Sequence, residues 1–432
     1  MAIFNKIIFR LKIKWLHSDL RRKLIVFRYF SLGRFLGKKA GAEVYLALND
    51  PHSFMLVQML SRLQARYKLK FTVYFIWGAL PGVTISPKLH RRWAIKDANL
   101  IAEQYQLIKI NTLPSILQLS TGQQEWQLLA NNIENAEQVF LKTWCNEYRE
   151  YFQASTPTIT HQVKNQARLE DKGHYCAATI YFAGDWFIGV DRLCHFEHAL
   201  CQFDLLSGAA CEALSCNEII QDVTEFNGTK TESTVNITAK KLEVYLSLRS
   251  PYSYLGFVQA IALAHRYQLE LAIKPVLPLM MRGASIPIAK QKYIYLDALR
   301  EAKRLNIEFS GFVDPLGAGV INCYRMFAWA EKQGKGTAYM LACFRAVYVE
   351  NIDLSVNEEI DNILDKLALD KTQAHAYQAE HDWQQWSDSN QRDLTALEFW
   401  GVPCFTLDNQ SYWGQDRIPF LEKEIKLNLS IN

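Results

Sequence analysis

Two short polar turns carry the side chains in this sequence that are best suited to chemistry. One reads Ser250-Pro251-Tyr252-Ser253 and the other reads Asp50-Pro51-His52-Ser53. Proline is favoured at the first position of a helix because its φ is preset and it lacks an N–H that would be unpaired there, and Ser or Asp before it is a favourable N-cap. The free N–H groups and dipole of a helix N-terminus stabilise a thiolate. Ser250 is therefore expected either to donate a hydrogen bond to the thiolate of a bound molecule or to serve as a plain N-cap.

The cysteines of the chain do not support dithiol or metal chemistry. Nine are present, and none forms a Cys-x-x-Cys pair or stands near a histidine at zinc-finger spacing. An odd number without regular spacing is typical of reduced, mostly buried thiols in the cytoplasm. We therefore predict a cytoplasmic protein without a metal site.

The two turns belong to an internal repeat. Aligned without a gap, residues 43–71 and 243–271 share eleven of 29 positions. A second similarity lies further along, between Gly189-Val190-Asp191-Arg192-Leu193 and Gly414-Gln415-Asp416-Arg417-Ile418. Internal repeats determine the number of domains. The chain is therefore predicted to hold two copies of one domain, which pack as a pseudo-dimer.

Each copy shows the same predicted order of elements. An apolar strand, a helix that starts at the turn proline and a second strand form a parallel β-α-β opening, and a long helical stretch, a hairpin and a final helix follow. This is the order of a thioredoxin fold with a helical insertion in its middle. The predicted class is α/β, with two tandem thioredoxin-like domains. The predicted boundaries are a basic extension at 1–40, a degenerate domain at 41–206, a linker at 207–241 and a second domain at 242–427.

The first 40 residues form a basic segment, with eleven Lys or Arg against one acid. Its charges are interleaved with large apolar residues, which suits packing along the domain, peripheral contact with an anionic membrane, or contact with nucleic acid. We favour packing, keep membrane contact as the alternative and expect no nucleic-acid partner. No run of 18 apolar residues exists, so no transmembrane helix is predicted, and the interrupted apolar stretches argue against a secretory signal.

A second feature with chemical potential precedes the closing hairpin of the second copy. The segment Gly401-Val402-Pro403-Cys404 lies where thioredoxin folds carry a cis-proline. Cis peptide bonds are almost confined to X–Pro, and this one would expose the backbone of Val402 to an extended peptide ligand. The alternative is an ordinary proline at the start of a strand. Cys404 is expected to be a small buried residue rather than a redox thiol.

The second copy resembles the kappa-class glutathione transferase and 2-hydroxychromene-2-carboxylate isomerase family of the DsbA-like thioredoxin superfamily. The resemblance covers about 240–425, nearly all of the second half. It rests on five stretches in order: Ser250-Pro251-Tyr252-Ser253-Tyr254, Lys290-Gln291-Lys292-Tyr293 with Asp297, Phe344-Arg345-Ala346-Val347-Tyr348 with Asp353, Gly401-Val402-Pro403, and Trp413-Gly414-Gln415-Asp416-Arg417.

The resemblance implies a glutathione site in the second copy. Ser250 would stabilise the glutathione thiolate without attacking a substrate itself, and Lys290 would meet a glutathione carboxylate. The backbone of Val402 would pair with the cysteinyl residue of glutathione ahead of cis-Pro403.

The γ-glutamyl end would be held by Gln415 and Asp416, because a helix N-terminus suits its carboxylate and an Asp suits its ammonium group. Pairing of Asp416 with Arg417 is the structural alternative. The sequence departs from the family at the loop 282–287, which has no clear counterpart of the family's Asn.

Aromatic residues near the turns are expected to line an apolar substrate pocket or, alternatively, to belong to the core. We predict that Tyr252, Tyr254 and Trp413 line the pocket. The implied function is that of a glutathione-dependent isomerase or transferase acting on a small apolar or aromatic electrophile. The alternative is a non-catalytic module that binds a peptide or protein partner and associates with membranes through its basic segment.

The first copy is predicted to be degenerate. Its N-cap is Asp50, whose carboxylate would repel a thiolate, and Ala177-Ala178 stands where the second copy has Val402-Pro403. We interpret this half as structural or regulatory. The alternative is a new acid–base site made of Asp50, His52 and His174.

Overall fold

The computed structural model of the protein describes residues 41–67, 69–79, 86–148, 160–202 and 240–430. The predicted basic extension and nearly all of the predicted linker lie outside these residues, so their boundaries stay predictions. The chain divides into two compact units between Asn217 and Glu218, and the segment Pro287–Tyr293 groups with the first unit. Among the described residues, none of the helices combines the length and apolar character needed to cross a bilayer.

The first unit begins with a strand, a helix and a strand, as predicted. Asp50 caps the helix because its side chain accepts a hydrogen bond from the Ser53 N–H, and Pro51 is the first helical residue. The described elements are, in chain order, β1 (Gly41–Leu46), α1 (Pro51–Arg66), β2 (Lys70–Phe75), α2 (Pro87–Tyr105), α3 (Ile116–Gln127), α4 (Ile133–Trp144), α5 (Thr160–Asp171), β3 (Thr179–Phe182), β4 (Asp185–Ile188) and α6 (Leu193–Gln202).

These strands form one mixed sheet in the order β2-β1-β3-β4, with β1 parallel to β2 and antiparallel to β3. The end of β1 is a run of buried residues, Val44, Tyr45 and Leu46. Such a run is typical of a central strand covered on both faces. Helices α1, α4 and α6 supply the main core on one face, while Leu169 of α5 packs against the other.

The second unit repeats this arrangement. Its sheet has the order β6-β5-β7-β8 with the same parallel and antiparallel pairs. The elements are β5 (Lys241–Leu246), α7 (Pro251–Arg266), β6 (Glu270–Pro275), α8 (Ile288–Arg304), α9 (Ala318–Lys332), α10 (Gly336–Arg345), α11 (Asn357–Lys366), α12 (Lys371–Glu380), α13 (Trp383–Ala396), β7 (Cys404–Leu407), β8 (Gln410–Trp413) and α14 (Ile418–Ser430).

The order β-α-β, inserted helices, β-β-α in both units confirms the predicted fold class of two thioredoxin-like regions. Internal hydrogen bonds also recur at matched positions. Each unit has a tyrosine–glutamate bond to its last helix and an asparagine–carbonyl bond to its second strand. In each unit an aromatic side chain also donates to a carbonyl two residues after the first strand. The pairs are Tyr67–Glu197 and Tyr267–Glu422, Asn165–Phe75 and Asn390–Pro275, and Trp144–Leu48 and Tyr348–Leu248.

The sequence predicts that the first strands extend to Leu48 and Leu248, and in the structure they end at Leu46 and Leu246. The reason is local. The next backbone N–H, of Ala47 or Ser247, donates to the side chain of Ser53 or Ser253 instead of to a neighbouring strand.

Candidate functional site

The Ser250 turn lies where the central strand β5 gives way to α7. The Ser250 hydroxyl oxygen accepts a hydrogen bond from the Ser253 N–H at 3.1 Å, so Ser250 is the N-cap of the helix. The Ser253 hydroxyl in turn accepts from the Ser247 N–H at 3.2 Å. Two serines therefore hold the turn from both sides, and both predicted roles of Ser250 remain compatible, because capping uses only its oxygen lone pair.

The proton of the Ser250 hydroxyl points toward the segment before β7. The Oγ atom lies 3.5 Å from the Val402 carbonyl oxygen, which is at the outer limit of a hydrogen bond and therefore weak. The Val402–Pro403 peptide bond is cis, as predicted. The serine hydroxyl and the backbone of Val402 thus lie beside each other.

Two glycines allow the segments to approach closely. A Cβ atom on Gly256 would lie 2.9 Å from Cζ of Phe405 and 3.2 Å from Cγ of Pro403, so α7 packs directly against the proline edge. A Cβ atom on Gly401 would lie 2.8 Å from Cζ2 of Trp413. The half-buried Trp413 therefore lies against the backbone beside Val402.

The predicted pocket aromatics separate into two groups. Trp413 packs edge-to-face with Trp400, with ring centroids 4.3 Å apart, and both are half-buried at the site. Tyr254 is only 1% exposed, stacks on Tyr348 and belongs to the core, which was the alternative for these residues.

Tyr252 is half-buried and anchored to the inserted helix α8. Its hydroxyl donates to Asp297 Oδ2 at 2.6 Å. Asp297 is completely buried and also accepts from Arg300 Nη2 at 2.7 Å. The first turn of α7 is therefore tied to α8 by a buried carboxylate whose charge is compensated by an arginine.

The Gln415-Asp416 segment lies at the start of the last helix, in a short 3₁₀ turn that leads into α14. Gln415 is buried, and its amide is used internally: Nε2 donates to Glu301 Oε2 at 3.0 Å and to Asp416 Oδ1 at 2.6 Å, and Oε1 accepts from Gln259. Asp416 is half-buried. The Arg417 Nη1 atom donates to the Asp416 backbone carbonyl at 3.3 Å.

Sequence reasoning missed the buried Glu301 beneath this turn. It is held by Gln415 and by a two-pronged contact from Arg304. The sequence does contain a signal for it. An acid is followed three residues later by an arginine twice in succession, at Asp297 and Arg300 and, one helical turn further on, at Glu301 and Arg304. Such a pattern on a helix face indicates two stacked ion pairs.

Lys290 is a half-buried residue in the first turn of α8. It lies in Pro287–Tyr293, which groups with the first unit, and burial lowers the pKa of its ammonium group. Its contact with a glutathione carboxylate therefore stays a prediction.

Cys404 does not supply a reactive thiol. It is buried, its Sγ donates to the Gly401 carbonyl at 3.0 Å, and burial raises the pKa of the thiol well above its usual value. Among the residues described in the structure, no cluster of three His, Cys, Asp or Glu side chains is arranged to hold a metal ion.

The matching turn of the first unit has different electrostatics. The Asp50 carboxylate accepts from the Ser53 N–H at 2.9 Å and from the Ser53 hydroxyl at 2.7 Å. His52 takes the place of Tyr252, and its Nε2 lies 2.9 Å from Oδ2 of the buried Asp97. Asp97 corresponds to Asp297. His52 is therefore used as a tie between α1 and α2, in the way that Tyr252 ties α7 to α8.

The acid–base alternative for the first unit combines Asp50, His52 and His174, and the structure gives a direct contact between the first two. His52 Nδ1 lies 3.9 Å from Asp50 Oδ1. His174 instead stacks on Trp186 with ring centroids 4.2 Å apart, and its Nε2 is 3.6 Å from Sγ of Cys176. Ala178, in the position of Pro403, has a left-handed φ of 53°, which a residue with a Cβ rarely adopts.

We expect His174 to make the protein acid-sensitive. Burial lowers the pKa of His174 from 6.5 to about 3. The unfolded chain therefore binds a proton that the folded chain excludes, and stability is lost as pH falls below 6.5 toward 3, by about 1.4 kcal/mol per pH unit. His174→Phe keeps the ring stack but cannot be protonated. Its thermal unfolding midpoint should therefore fall less steeply with acid than that of the unchanged protein.

The matched control for this prediction is the exposed His161 of the same unit. His161→Gln should follow the unchanged protein at every pH. The thermal unfolding midpoint can be plotted against pH from neutral pH to about pH 4. If the plots for the unchanged protein and His174→Phe are parallel, His174 does not couple protonation to unfolding.

The comparison with protein families finds a match in the second unit. Residues 241–426 match the family of DsbA-like thioredoxin domains. A 2-hydroxychromene-2-carboxylate isomerase of Sphingobium xenophagum is 24% identical over an alignment of 197 residues, and the match covers 42% of this chain and 96% of that protein.

Solved structures show the same pattern of coverage. A 2-hydroxychromene-2-carboxylate isomerase structure is 21% identical with a TM-score of 0.39, covering 44% of this chain and 99% of that one. The cytosolic disulfide reductase DsbM of Pseudomonas aeruginosa is 20% identical with a TM-score of 0.34, covering 43% and 99%. A structure of DsbM with GSH is 19% identical, with a TM-score of 0.33 and the same coverage.

Proposed function

We propose that the second unit, which matches a DsbA-like thioredoxin domain over residues 241–426, is a glutathione-dependent isomerase or transferase. In this proposal glutathione is a co-substrate, and its thiolate is the nucleophile toward a small apolar or aromatic electrophile. The named isomerase relatives support this class of reaction.

The observation that carries the proposal is the Ser250 hydroxyl. It lies at the helix position where disulfide oxidoreductases place a thiol, and the chain has no Cys-x-x-Cys pair there or elsewhere. The hydroxyl uses its oxygen to cap α7 and keeps its proton for a weak 3.5 Å contact with the Val402 carbonyl. A hydroxyl proton and a helix N-terminus aimed at one point lower the pKa of a thiol placed there.

In this proposal other parts of the second unit bind the remainder of the glutathione molecule. The Val402 backbone beside cis-Pro403 suits an extended tripeptide. Asp416 at the start of the last helix suits the γ-glutamyl ammonium group, and the helix N-terminus suits its carboxylate. The Gln415 side chain is occupied by Glu301 and Gln259, so its contribution would come through its backbone and through the position it gives Asp416. Tyr252, Trp400 and Trp413 would face an aromatic or apolar electrophile.

The first unit is proposed to be a structural partner that arose by internal duplication. Asp50 places a negative charge where the second unit has a neutral donor. Ala178 replaces the proline that shapes the Val402 edge. The fused chain would then contain within itself the pseudo-dimer that we predict, and the reduced thiols suit the cytoplasm.

The test is a calorimetric titration of the full chain with reduced glutathione. We expect one equivalent to bind, and Asp416→Ala to weaken binding by roughly tenfold or more, since hydrogen bonds to charged groups contribute about 1.5–3 kcal/mol. The matched control is Asp191→Ala in the corresponding 3₁₀ turn of the first unit, which should leave the affinity unchanged. Absence of binding in the millimolar range would remove the enzyme proposal and favour a module that binds a peptide or protein partner.

A further inference from the structure

A short 3₁₀ turn, Leu279–Arg282, follows β6 in the second unit and places an arginine beside the Ser250 site. Gly283 ends the turn with a left-handed φ of 84°, so the chain reverses immediately after Arg282. The Arg282 Nη2 atom donates to the Trp400 carbonyl at 2.9 Å. This bond fixes the guanidinium against the segment that carries Val402.

The positive charge of Arg282 has no compensating carboxylate in the described part of the second unit. The side chain is half-buried, and its Nε atom is buried without a hydrogen-bond partner. Burial lowers the pKa of the guanidinium, opposed only by the nearby Tyr324 phenol. Taking a charge out of water without a partner is unfavourable, so this arrangement requires an explanation.

Other arginines of the same unit show what a structural arginine looks like here. Arg249 makes a two-pronged pair with Asp314 at 2.8 Å for both contacts, and Arg300 and Arg304 pair with Asp297 and Glu301. Arg282 differs from them, because the residues described in the second unit give it no carboxylate partner.

The position of Arg282 relates it to the reacting end of the site. Trp400, whose carbonyl it holds, is two residues before Val402, and the Val402 carbonyl is 3.5 Å from the Ser250 hydroxyl. On the other side, the Tyr324 hydroxyl contacts the Leu248 N–H at the end of the central strand. Arg282 is therefore near both the residues that follow β5 and the segment of Val402, which flank Ser250.

We propose that Arg282 is a carboxylate-recognition residue of the Ser250 site. One edge of the planar guanidinium is formed by Nε and Nη2, and it matches the two oxygens of a carboxylate. Nη2 carries two hydrogens, of which the Trp400 carbonyl accepts one. This inference rests on the proposed glutathione site and specifies it further. Two sources share the chemistry: the glycyl carboxylate of glutathione, and a carboxylate on the electrophile.

The experiment compares the full chain with Arg282→Met and Arg282→Lys by calorimetry. The first probe is reduced glutathione together with its glycyl ethyl ester. If Arg282 recognises the glycyl carboxylate, Arg282→Met weakens glutathione binding at least tenfold. The glycyl ester then binds the unchanged protein similarly weakly, and combining the ester with Arg282→Met causes no further loss of affinity. Arg282→Lys recovers part of the affinity because the charge is kept.

The second probe is benzoate, with neutral benzamide as its control, titrated into protein saturated with glutathione. If the electrophile supplies the carboxylate, benzoate binds the unchanged protein and Arg282→Met weakens benzoate binding at least tenfold. The same substitution then leaves the affinities for benzamide and for glutathione unchanged. Arg345→Gln, which removes an exposed arginine paired with Glu308, should change no affinity.

Two different failures are distinguishable. If glutathione binds equally to the unchanged protein and Arg282→Met, and benzoate binding is absent or unaffected, Arg282 is structural and this inference is overturned while the proposed function stands. If glutathione does not bind the unchanged protein at all, the proposed function fails first, and the inference that rests on it fails with it.

Discussion

Ser250→Asp should abolish glutathione-dependent turnover while preserving the fold of the second unit. Aspartate is an N-cap as effective as serine, and Asp50 caps the corresponding helix of the first unit. The carboxylate would, however, remove the hydroxyl donor and place a negative charge against the thiolate. A like charge raises the pKa of a neighbouring acid, so the bound thiol should stay protonated at neutral pH.

Ser250→Ala isolates the donor from the charge. Losing a hydrogen bond to a charged group costs about 1.5–3 kcal/mol, which corresponds to a rise of about one to two units in the pKa of the bound thiol. Turnover at neutral pH should fall roughly 10- to 100-fold by the same reasoning. The lost cap should also lower stability by about 0.5–2 kcal/mol, whereas Ser250→Thr should keep both properties.

The measurement is the ultraviolet absorbance of the thiolate as a function of pH, made on each variant in complex with glutathione. The expected order of the thiol pKa is serine and threonine lowest, alanine higher and aspartate highest. Asp50→Ser is the control in the first unit and should leave the titration unchanged. An identical thiol pKa in Ser250→Ala and the unchanged protein would limit Ser250 to capping the helix.

Asp297→Ala should be among the most destabilising single substitutions in the second unit. Asp297 is completely buried between the Tyr252 hydroxyl and Arg300. Removing one member of a buried ion pair leaves an uncompensated charge and costs about 3–5 kcal/mol. Because Tyr252 lies in the first turn of α7, the loss should loosen the Ser250 turn as well.

Hydrogen–deuterium exchange of the full chain would localise this effect, since a two-unit protein need not unfold in one step. Asp297→Ala should lower protection in α7 and leave α1 unchanged, whereas the matched Asp97→Ala should do the reverse. The double variant Asp297→Ala, Arg300→Met should recover part of the protection, because the unpaired arginine causes much of the cost. Unchanged protection of α7 in Asp297→Ala would show that the pair does not hold the turn.

Local sequence signals are sufficient to predict the backbone of the Ser250 turn and of the Val402–Pro403 segment. Pro251 after a capping serine specifies a helix start from two adjacent residues, and Val402-Pro403 before a hairpin specifies the edge beside it. The structure has both features where they were predicted. Signals of this kind succeed because the backbone preference is determined within a few residues.

Side-chain directions were harder to predict, because distant partners decide them. Gln415 turns inward because Gln259 and Glu301 meet it from other elements. Tyr254, two positions after Tyr252, points into the core because residues two apart on a helix lie on different faces. Arg282 was noted only as a departure from the family, since the absence of a carboxylate partner is a property of the folded unit.

The matched contacts of the two units also show where the chain tolerates a change of length. The numbering offset between the units is 200 at Asp97 and Asp297 and 225 at Asn165 and Asn390. The longer insertion of the second unit includes α11 and α12, between the Tyr348 and Asn390 contacts. Hydrogen bonds on either side of the added length return the chain to the same strands. A protein engineer seeking to graft a new lid or recognition surface onto this scaffold would therefore begin in that interval.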